Sequence, residues 1–421
     1  MNKIILNIFT TLLFSLFLIS SAQAQNKRII TLKTCIDSAL TNYPSLKAFE
    51  KIEESRSANS KSLQNQLLPE LDFAFQYQYN VYKEYEYRTL DNHLQLVWDM
   101  GKWTGKLEQA GITEEKIAQF KSLQNKLDLI YRVKHAFYKL ISAGETMRIA
   151  KLSESYLEHH LAVNEKLYSI GQIKELDFYF TQSGLLRAKE DVLAAQSEIE
   201  SWQIQLSNLT GFNLSSTDSL EMLEEFTFSR KFSVDSLLEE AHRFNPAVSI
   251  LEKQTELVNI QANLIRNSRM PKIYLGGGYV FDSDPTSGGN YSKISGGLLI
   301  PIFDWGTRSN KVQSFQLKAE SIKSTELTLL LELKTKLKSL VNRMDNIKKL
   351  LALKDTSIKQ AQKTYNLTLI NYKAGISTNT DVLLAQKALI ESKISKEKLI
   401  FLLYEIESQI ENLVGKPEVK Q

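Results

Sequence analysis

A series of short segments occurs twice in this sequence, in the same order and at a nearly constant distance. Pro44 and Pro69 are followed 202 residues later by Pro246 and Pro271. Four further pairs lie 204 or 205 residues apart: Trp98-Asp-Met-Gly101 and Phe303-Asp-Trp-Gly306, Tyr168-x-x-Gly171 and Tyr372-x-x-Gly375, Asp177 and Asp381, and Asn208-Leu-Thr-Gly211 and Asn412-Leu-Val-Gly415. Chance does not preserve both order and spacing over so many pairs, so the sequence predicts two copies of one structural unit.

This duplication and the pattern of the first residues predict how the chain is divided. We expect a signal peptide at 1–24, a first structural repeat at 25–211, a linker at 212–233, a second repeat at 234–415 and a C-terminal tail at 416–421. Lys3, a short apolar run and the cleavage pattern Ala22-Gln-Ala24 are typical of a removable export signal. The run is shorter than the ~20 residues that cross a bilayer, which disfavours a membrane anchor.

Two long stretches without proline predict long helices. They lie between Pro69 and Pro246 and between Pro301 and Pro417, and proline is the residue that a helix interior tolerates least. Each repeat is expected to contain a helix, two strands, a very long helix, a turn and a last helix. The first helix is expected at roughly 32–66, ending before Pro69.

The very long helix of the first repeat is predicted from Gly101 to about Tyr168, which is longer than an ordinary globular helix. The helices carry apolar residues at alternating spacings of three and four, the pattern of a coiled-coil seam. These residues are Leu185, Ala188, Val192, Ala195, Ile199, Trp202, Leu206 and Leu209, and in the second repeat Leu337, Leu340, Met344, Ile347 and Leu351. We expect the two shorter helices of a repeat to lie end to end along the long one.

Two β-hairpins are predicted, at about 70–98 and about 272–303. In the first hairpin, large apolar residues alternate with polar ones, which gives the strand one apolar and one polar face. The candidate lipid-facing residues are Leu71, Phe73, Phe75, Tyr77 and Tyr79. In the second hairpin, Gly276–Gly278 are expected to let neighbouring groups pass closely. The fold class is therefore mainly α with a small β part, built on a long antiparallel coiled coil.

Four strands cannot close a barrel in a bilayer, because bacterial transmembrane barrels begin at eight strands. An open sheet cannot lie in lipid either, because its edge N–H and C=O groups would have no partners. If these strands contact lipid, several chains must therefore combine them. The alternative is a pair of half-buried hairpins packed on the helices of the same chain.

No chemistry is predicted for this chain. The formal net charge of +4 is small for 421 residues and does not favour a nucleic acid as partner. Cys35 is the only cysteine, so no internal disulfide forms, and the five histidines are scattered. Metal-binding, phosphate-binding and nucleophile motifs are absent. We therefore expect no enzyme activity, no cofactor and no metal site.

The whole chain after residue 24 resembles the TolC family of outer-membrane efflux proteins. The resemblance is carried by the doubled helix starts Asn42-Tyr-Pro44 and Phe244-Asn-Pro246, the two Tyr-x-x-Gly turns and the strand exits, where Asp99, Gly101, Pro301, Asp304 and Gly306 match the family motif. It implies a homotrimer with a 12-stranded barrel in outer-membrane lipid and a large periplasmic extension. It further implies a passive exit duct of a tripartite efflux or type I secretion system, with a periplasmic adaptor (membrane fusion protein) and an inner-membrane pump of RND or ABC type as partners.

The resemblance also implies that the two turns form a periplasmic gate. The matching residues are Tyr168, Gly171, Asp177, Tyr372, Gly375 and Asp381. Independently of the family, the two glycines suit the left-handed position that ends a helix, and the two aspartates suit the first turn of the next helix. Ser377 and Leu384 replace an arginine and an aspartate of the family gate, so a salt bridge through residue 377 is absent and Lys174 is a candidate substitute. Trp305 replaces a glycine of the family strand exit, a difference expected to matter little.

The main rival from another class is a soluble periplasmic coiled-coil adaptor that forms no pore. Such an adaptor would carry a compact β-domain between its helices, which the predicted hairpins do not resemble. The transported substrate, whether a drug, a metal ion or a polypeptide, does not follow from the sequence. Six aspartates near one mouth of a trimer would favour cations there.

Overall fold

The structure is a computed structural model that describes residues 29–214, 219–221 and 233–416. The predicted signal peptide at 1–24, most of the predicted linker at 212–233 and residues 417–421 of the tail lie outside the described residues. Everything below refers to the described part of the chain.

The elements of the first half follow one another from a short strand to two long helices. They are β1 (Ile29–Thr31), α1 (Leu32–Asn42), α2 (Pro44–Asn65), β2 (Glu70–Val81), β3 (Glu86–Asp99), a single 3₁₀ turn (Lys102–Thr104), α3 (Lys106–Ser169) and α4 (Glu175–Thr210). The elements of the second half are β4 (Ser219–Glu221), α5 (Val234–Phe244), α6 (Pro246–Asn267), β5 (Lys272–Asp282), β6 (Tyr291–Leu299), α7 (Thr307–Lys373) and α8 (Asn379–Val414).

The first predicted helix is interrupted, and the prediction of one continuous helix over 32–66 is wrong at this point. Tyr43 has φ −67° and ψ 119°, an extended conformation, and Pro44 begins a new helix. The residue before a proline is pushed out of the helical region, and proline at the first helical position gives up a hydrogen bond that would be missing anyway. Asn245 and Pro246 divide α5 from α6 in the same way.

The long helix α3 lies at the centre of the molecule. Its 64 residues span ~96 Å, and it packs on α2 and α4 from its own half and on α6 and α8 from the other half. The two shorter helices lie end to end as predicted: the Ser38 hydroxyl of α1 donates to the carbonyl of Thr210 at the end of α4 (2.8 Å). A buried ion pair between Lys134 of α3 and Glu411 of α8 joins the halves.

The long helices together form a rod. The predicted coiled-coil seams form apolar cores at the middle of this rod. Leu206 is fully buried and packs with Phe137 and the partly buried Trp202. Leu337, Met344 and Ile347 of the second repeat form an equivalent cluster with α5 and α8. In the described residues, no helix combines the length and apolar character needed to cross a bilayer.

Four strands form one antiparallel sheet in the order β2-β3-β5-β6. β6 ends at Leu299, four residues before the end of the predicted hairpin, because Pro301 has no N–H to donate to a strand ladder. The parallel pairing of β1 with β4 was not predicted. Ile30 of β1 packs in the same apolar core as Phe137. Each of these two strands has three residues, which is too short to give an alternating pattern in the sequence.

Candidate functional site

The pairing register divides the sheet into two chemically different faces. Residues directly opposite each other in an antiparallel pair lie on the same face. Tyr77 is opposite Leu90, which is opposite Phe281, and Phe73 is opposite Leu94. The five predicted lipid-facing residues all lie on this apolar face with these partners. Phe73 and Phe75 are 65% and 63% exposed, so this chain alone leaves the face uncovered.

The opposite face of the sheet is polar. Asp91 and His93 of β3 lie on it together with Lys293 of β6, and Lys293 pairs with Asp91 across the intervening strand β5. Gly278 stands between His93 and Lys293, and a Cβ placed there would overlap the Asn92 carbonyl and the His93 side chain. The predicted close approach is thus confirmed at Gly278. The backbone of Asn92 and His93 and the base of the His93 side chain occupy the space that a larger residue would need.

The edges of the sheet are open within the described residues. β2 and β6 each pair on one side only, and the four strands contain 12, 14, 11 and 9 residues. Strands of about 9–11 residues are long enough to cross a bilayer when tilted. An exposed apolar face with two unpaired edges is a surface that needs both lipid-like surroundings and further strands.

The two strand exits contain the same turn, in which an aspartate binds backbone N–H groups ahead of it. The Asp99 carboxylate accepts from the N–H of Gly101 (3.0 Å) and binds Lys272 (2.9 Å). The Asp304 carboxylate accepts from the N–H of Gly306 (3.2 Å), and Pro301 precedes this turn. The predicted strand-exit residues therefore lie where the strands change into the long helices.

The predicted gate residues lie at the opposite end of the rod, in the turns between the long helices. Gly171 and Gly375 have φ of 72° and 74°, the left-handed conformation that glycine adopts at a helix end. Asp177 lies in the first turn of α4. Asp381 forms a capping box with Thr378, whose hydroxyl donates to the carboxylate (2.7 Å). The Thr378 hydroxyl and N–H hold the pKa of the Asp381 carboxyl below its ordinary value.

A buried polar cluster connects the two turns, and of its members only Tyr372 is among the residues predicted from the sequence. The Asn379 side-chain oxygen lies 2.7 Å from His160 Nε2 and accepts from Asn164 Nδ2 (3.1 Å). Asn164 in turn donates to the Thr181 hydroxyl (2.7 Å) and accepts from the Tyr372 hydroxyl (2.7 Å). Tyr372 is therefore buried between the helix pair α3–α4 and the helix pair α7–α8. The cluster draws on α3, α4, α7 and α8.

The cluster also fixes the first turn against the second. Asn379 Nδ2 donates to the backbone carbonyl of Asp177 (2.9 Å). Desolvation is the main cause that lowers the pKa of the His160 imidazole below its ordinary 6.5. The positive charges of His159 and Lys373 lower it further, and the hydrogen bond to Asn379 opposes them. We call the two turns and this buried cluster, residues 157–181 and 372–384, the tip. We expect His160 to be neutral in the folded tip, with its proton on Nε2.

The other tip residues are more exposed. Tyr168 is 44% exposed and stacks on Phe178. Leu384 is 59% exposed, and Lys174, the N-cap residue immediately before α4, has no carboxylate partner among the described residues. The sequence held one signal for the buried cluster: Leu157, His160 and Asn164 continue the spacing of three and four, which places two polar residues on an inward-facing seam.

The fold is that of known outer-membrane channels. The chain superposes on crystal structures of CusC with a TM-score of 0.81 at 14% identity, covering 94% of this chain and 96% of that one. It superposes on the outer-membrane channel OprN with 0.80 at 15% identity, covering 92% and 90%. The open state of the MtrE outer membrane channel of Neisseria gonorrhoeae gives 0.76 at 17% identity, covering 91% and 89%.

A family model gives the narrower assignment. The model of the outer membrane efflux proteins matches residues 35–212 and 237–416, most of the chain. The chain belongs to the outer membrane efflux protein family, which places it in the outer membrane. The solved structures that it resembles are channels.

Two curated proteins are related to this chain at low sequence identity. The pyoverdine export outer membrane protein OpmQ of Pseudomonas aeruginosa is 21% identical over 306 residues, which cover 69% of this chain and 62% of that protein. OpmQ of Pseudomonas putida is 19% identical over 284 residues, which cover 65% and 59%. The match thus spans about 60% of the length of these relatives.

Proposed function

We propose that this protein is a passive exit duct in the outer membrane, which conducts substrates through a barrel in the membrane and a helical tunnel in the periplasm. The observation that carries the proposal is the sheet, with one apolar face exposed, one polar face opposite it and two open edges. Pairing β6 of one chain with β2 of the next satisfies both edges. Three chains then supply twelve strands, enough for a barrel.

The polar face of the sheet indicates which side of it would line the interior of the barrel. Asp91, His93 and Lys293 would line the interior, where water hydrates them, and the aromatic face would contact lipid. The helices would continue the tube below the membrane, ending at the turns that contain Asp177 and Asp381. A periplasmic adaptor and an inner-membrane pump would meet that end, and selection of the substrate would lie with the pump.

Domain organisation belongs to the same proposal. The order of two helices, two strands, a long helix and a last helix occurs twice along the chain. We assign 25–211 and 234–415 to two copies of one unit, each contributing one hairpin to the barrel. The rival interpretation, a soluble adaptor without a pore, finds no support in the family to which the chain belongs.

Cell fractionation followed by electrical recording tests the proposal. The protein should be recovered in the outer membrane, and the purified protein should produce discrete conductance steps in planar bilayers. Recovery in the soluble periplasm, or bilayers that stay silent after insertion is verified, would contradict a duct. Material purified in the same way from cells that lack the gene serves as the control for contaminating porins.

A further inference from the structure

A strongly apolar loop follows the last strand of the sheet. Ile302, Phe303 and Trp305 are 93%, 71% and 88% exposed, although β6 ends only three residues before Ile302. The rings of Phe303 and Trp305 contact edge to face, with centroids 4.8 Å apart. Exposed apolar residues in one short loop mark a surface that contacts something outside the chain.

The backbone of this loop also points to an external contact. Trp305 has φ 56° and is the one non-glycine residue with positive φ in the described chain, so its replacement of the family glycine has a structural consequence, contrary to the expectation from the sequence. A bulky residue in the left-handed region is strained, and such strain persists where other interactions offset it. The exposed indole makes few contacts inside the chain that could do so.

A pocket lined by arginines lies on the helix ends next to the loop. Arg266 and Arg269 at the end of α6 and Arg308 in the first turn of α7 line a cavity of about 250 Å³ with Ser309 and Val312. The three arginines thus line one cavity near the place where the helices join the sheet. Guanidinium groups bind phosphate oxygens through paired hydrogen bonds, which makes arginine the preferred residue for phosphate recognition.

The positive charge of the pocket is only partly neutralised. Arg308 binds Asp304 (3.0 Å), and Arg266 donates to the side-chain oxygen of Asn263 (3.0 Å). Among the described residues, no carboxylate oxygen lies within 4 Å of Arg266 or Arg269. One carboxylate therefore faces three cations, which leaves two positive charges beside an apolar loop.

We propose that this pocket binds the phosphate of a phospholipid in the leaflet that faces the helices, while Ile302, Phe303 and Trp305 insert beside its acyl chains. The proposal rests on the proposed function, because it requires the sheet to span the membrane. Charge complementarity selects the headgroup, and the loop continues the apolar face of the sheet at the depth where tryptophan prefers to lie.

The test uses the intact detergent-purified protein, titrated with dihexanoyl phosphatidylglycerol and followed by native mass spectrometry. The variant Arg266→Gln/Arg269→Gln should bind this lipid about tenfold more weakly or worse, because two charge-assisted contacts are lost. The control Lys318→Gln/Lys323→Gln removes two exposed charges further along α7 and should bind as the parent does. Equal binding by both double variants would overturn the proposal.

A second arm separates a lipid from a free anion. Inorganic phosphate should compete only at much higher concentration than the lipid, and Trp305→Gly should weaken lipid binding while leaving phosphate competition unchanged. Phosphate competing as well as the lipid would make the pocket a free anion site and overturn the proposal. Loss of the oligomer in Trp305→Gly would also overturn it, since the indole would then be a subunit contact.

The same samples distinguish a failure of the lipid-binding proposal from a failure of the proposed function. Conductance and oligomer mass are measured for the parent protein alongside lipid binding. If the parent protein assembles and conducts, and the Arg266→Gln/Arg269→Gln variant binds the lipid as tightly as the parent does, only the lipid-binding proposal is contradicted. A parent protein that neither assembles nor conducts contradicts the proposed function.

Discussion

At the scale of single residues, the tip is held by polar side chains whose positions differ between the two repeats. Applying the 204-residue offset, His160 corresponds to Thr364 and Asn379 to Glu175, so the duplication indicates only Tyr372 of this cluster, through its counterpart Tyr168. The capping roles of Gly171, Gly375 and Asp381, by contrast, follow from local chain chemistry and were predictable. Long-range pairing of unlike residues is what the sequence does not reveal.

Replacing Asn379 with alanine should destabilise the tip by about 3 kcal/mol, because several buried donors and an acceptor lose their partner at once. Hydrogen exchange of the amides in both turns would measure this loss. Thr380→Ala, at the exposed neighbouring position, is the matched control and should change exchange little. Similar exchange in the two variants would show that the cluster does not hold the turns together.

The buried His160 should make the tip less stable in acid. Its folded pKa lies below 6.5, so the unfolded tip takes up a proton that the folded tip resists, and stability falls as the pH drops below about 6.5. The exchange of tip amides, corrected for intrinsic rates, should reveal this between pH 7.5 and 5.5. His160→Gln should remove the dependence, and His159→Gln at the exposed neighbour should keep it. The opposite ranking of the two variants would contradict this assignment.

At the scale of elements, alternation and proline placement predicted most of the architecture. The alternating strand Leu71–Tyr79 has the apolar face that its pattern indicates, and the seam through Leu206 is buried. The end of β6 and the break at Tyr43 were missed because each depends on one proline in a pattern that otherwise continues. The arginine pocket could not be predicted from the sequence, because it forms only when the end of α6 lies next to the start of α7.

Adjacent residues of β2 give a sharp test of the two faces. Phe75→Arg places a charge on the proposed lipid face and should cost about 2–4 kcal/mol if it lies near the bilayer centre. Gln76→Arg places the same charge on the polar face and should be tolerated. The folded fraction recovered from the outer membrane measures both. Equal losses would mean that the sheet does not separate lipid from water.

At the scale of the whole molecule, one chain is an incomplete structure. Its central helix α3 packs on helices from both halves, but its sheet leaves an apolar face and two edges unpaired within the described residues. Helix packing is incomplete as well, since Leu193, Ile204 and Leu353 of the long helices are 70%, 62% and 67% exposed. The proposed assembly would cover apolar helix surface and pair the open strand edges.

Assembly would also bring the tip carboxylates together. Asp177→Asn combined with Asp381→Asn should lower the cation preference of the open duct by about twofold or more, since six charges near one mouth would be lost. Asparagine at 381 can still accept the hydrogen bonds that cap α8. Reversal potentials in a salt gradient measure the effect, with Asp345→Asn on the exposed face of α7 as control. Unchanged selectivity would rule out a role of these aspartates at the mouth.

The number of chains in the assembled particle tests the central claim most directly. Native mass spectrometry of protein extracted from the outer membrane in mild detergent would give this number without assuming any function. We predict three chains, whose twelve strands close the barrel. A stable monomer or dimer as the only particle would contradict it.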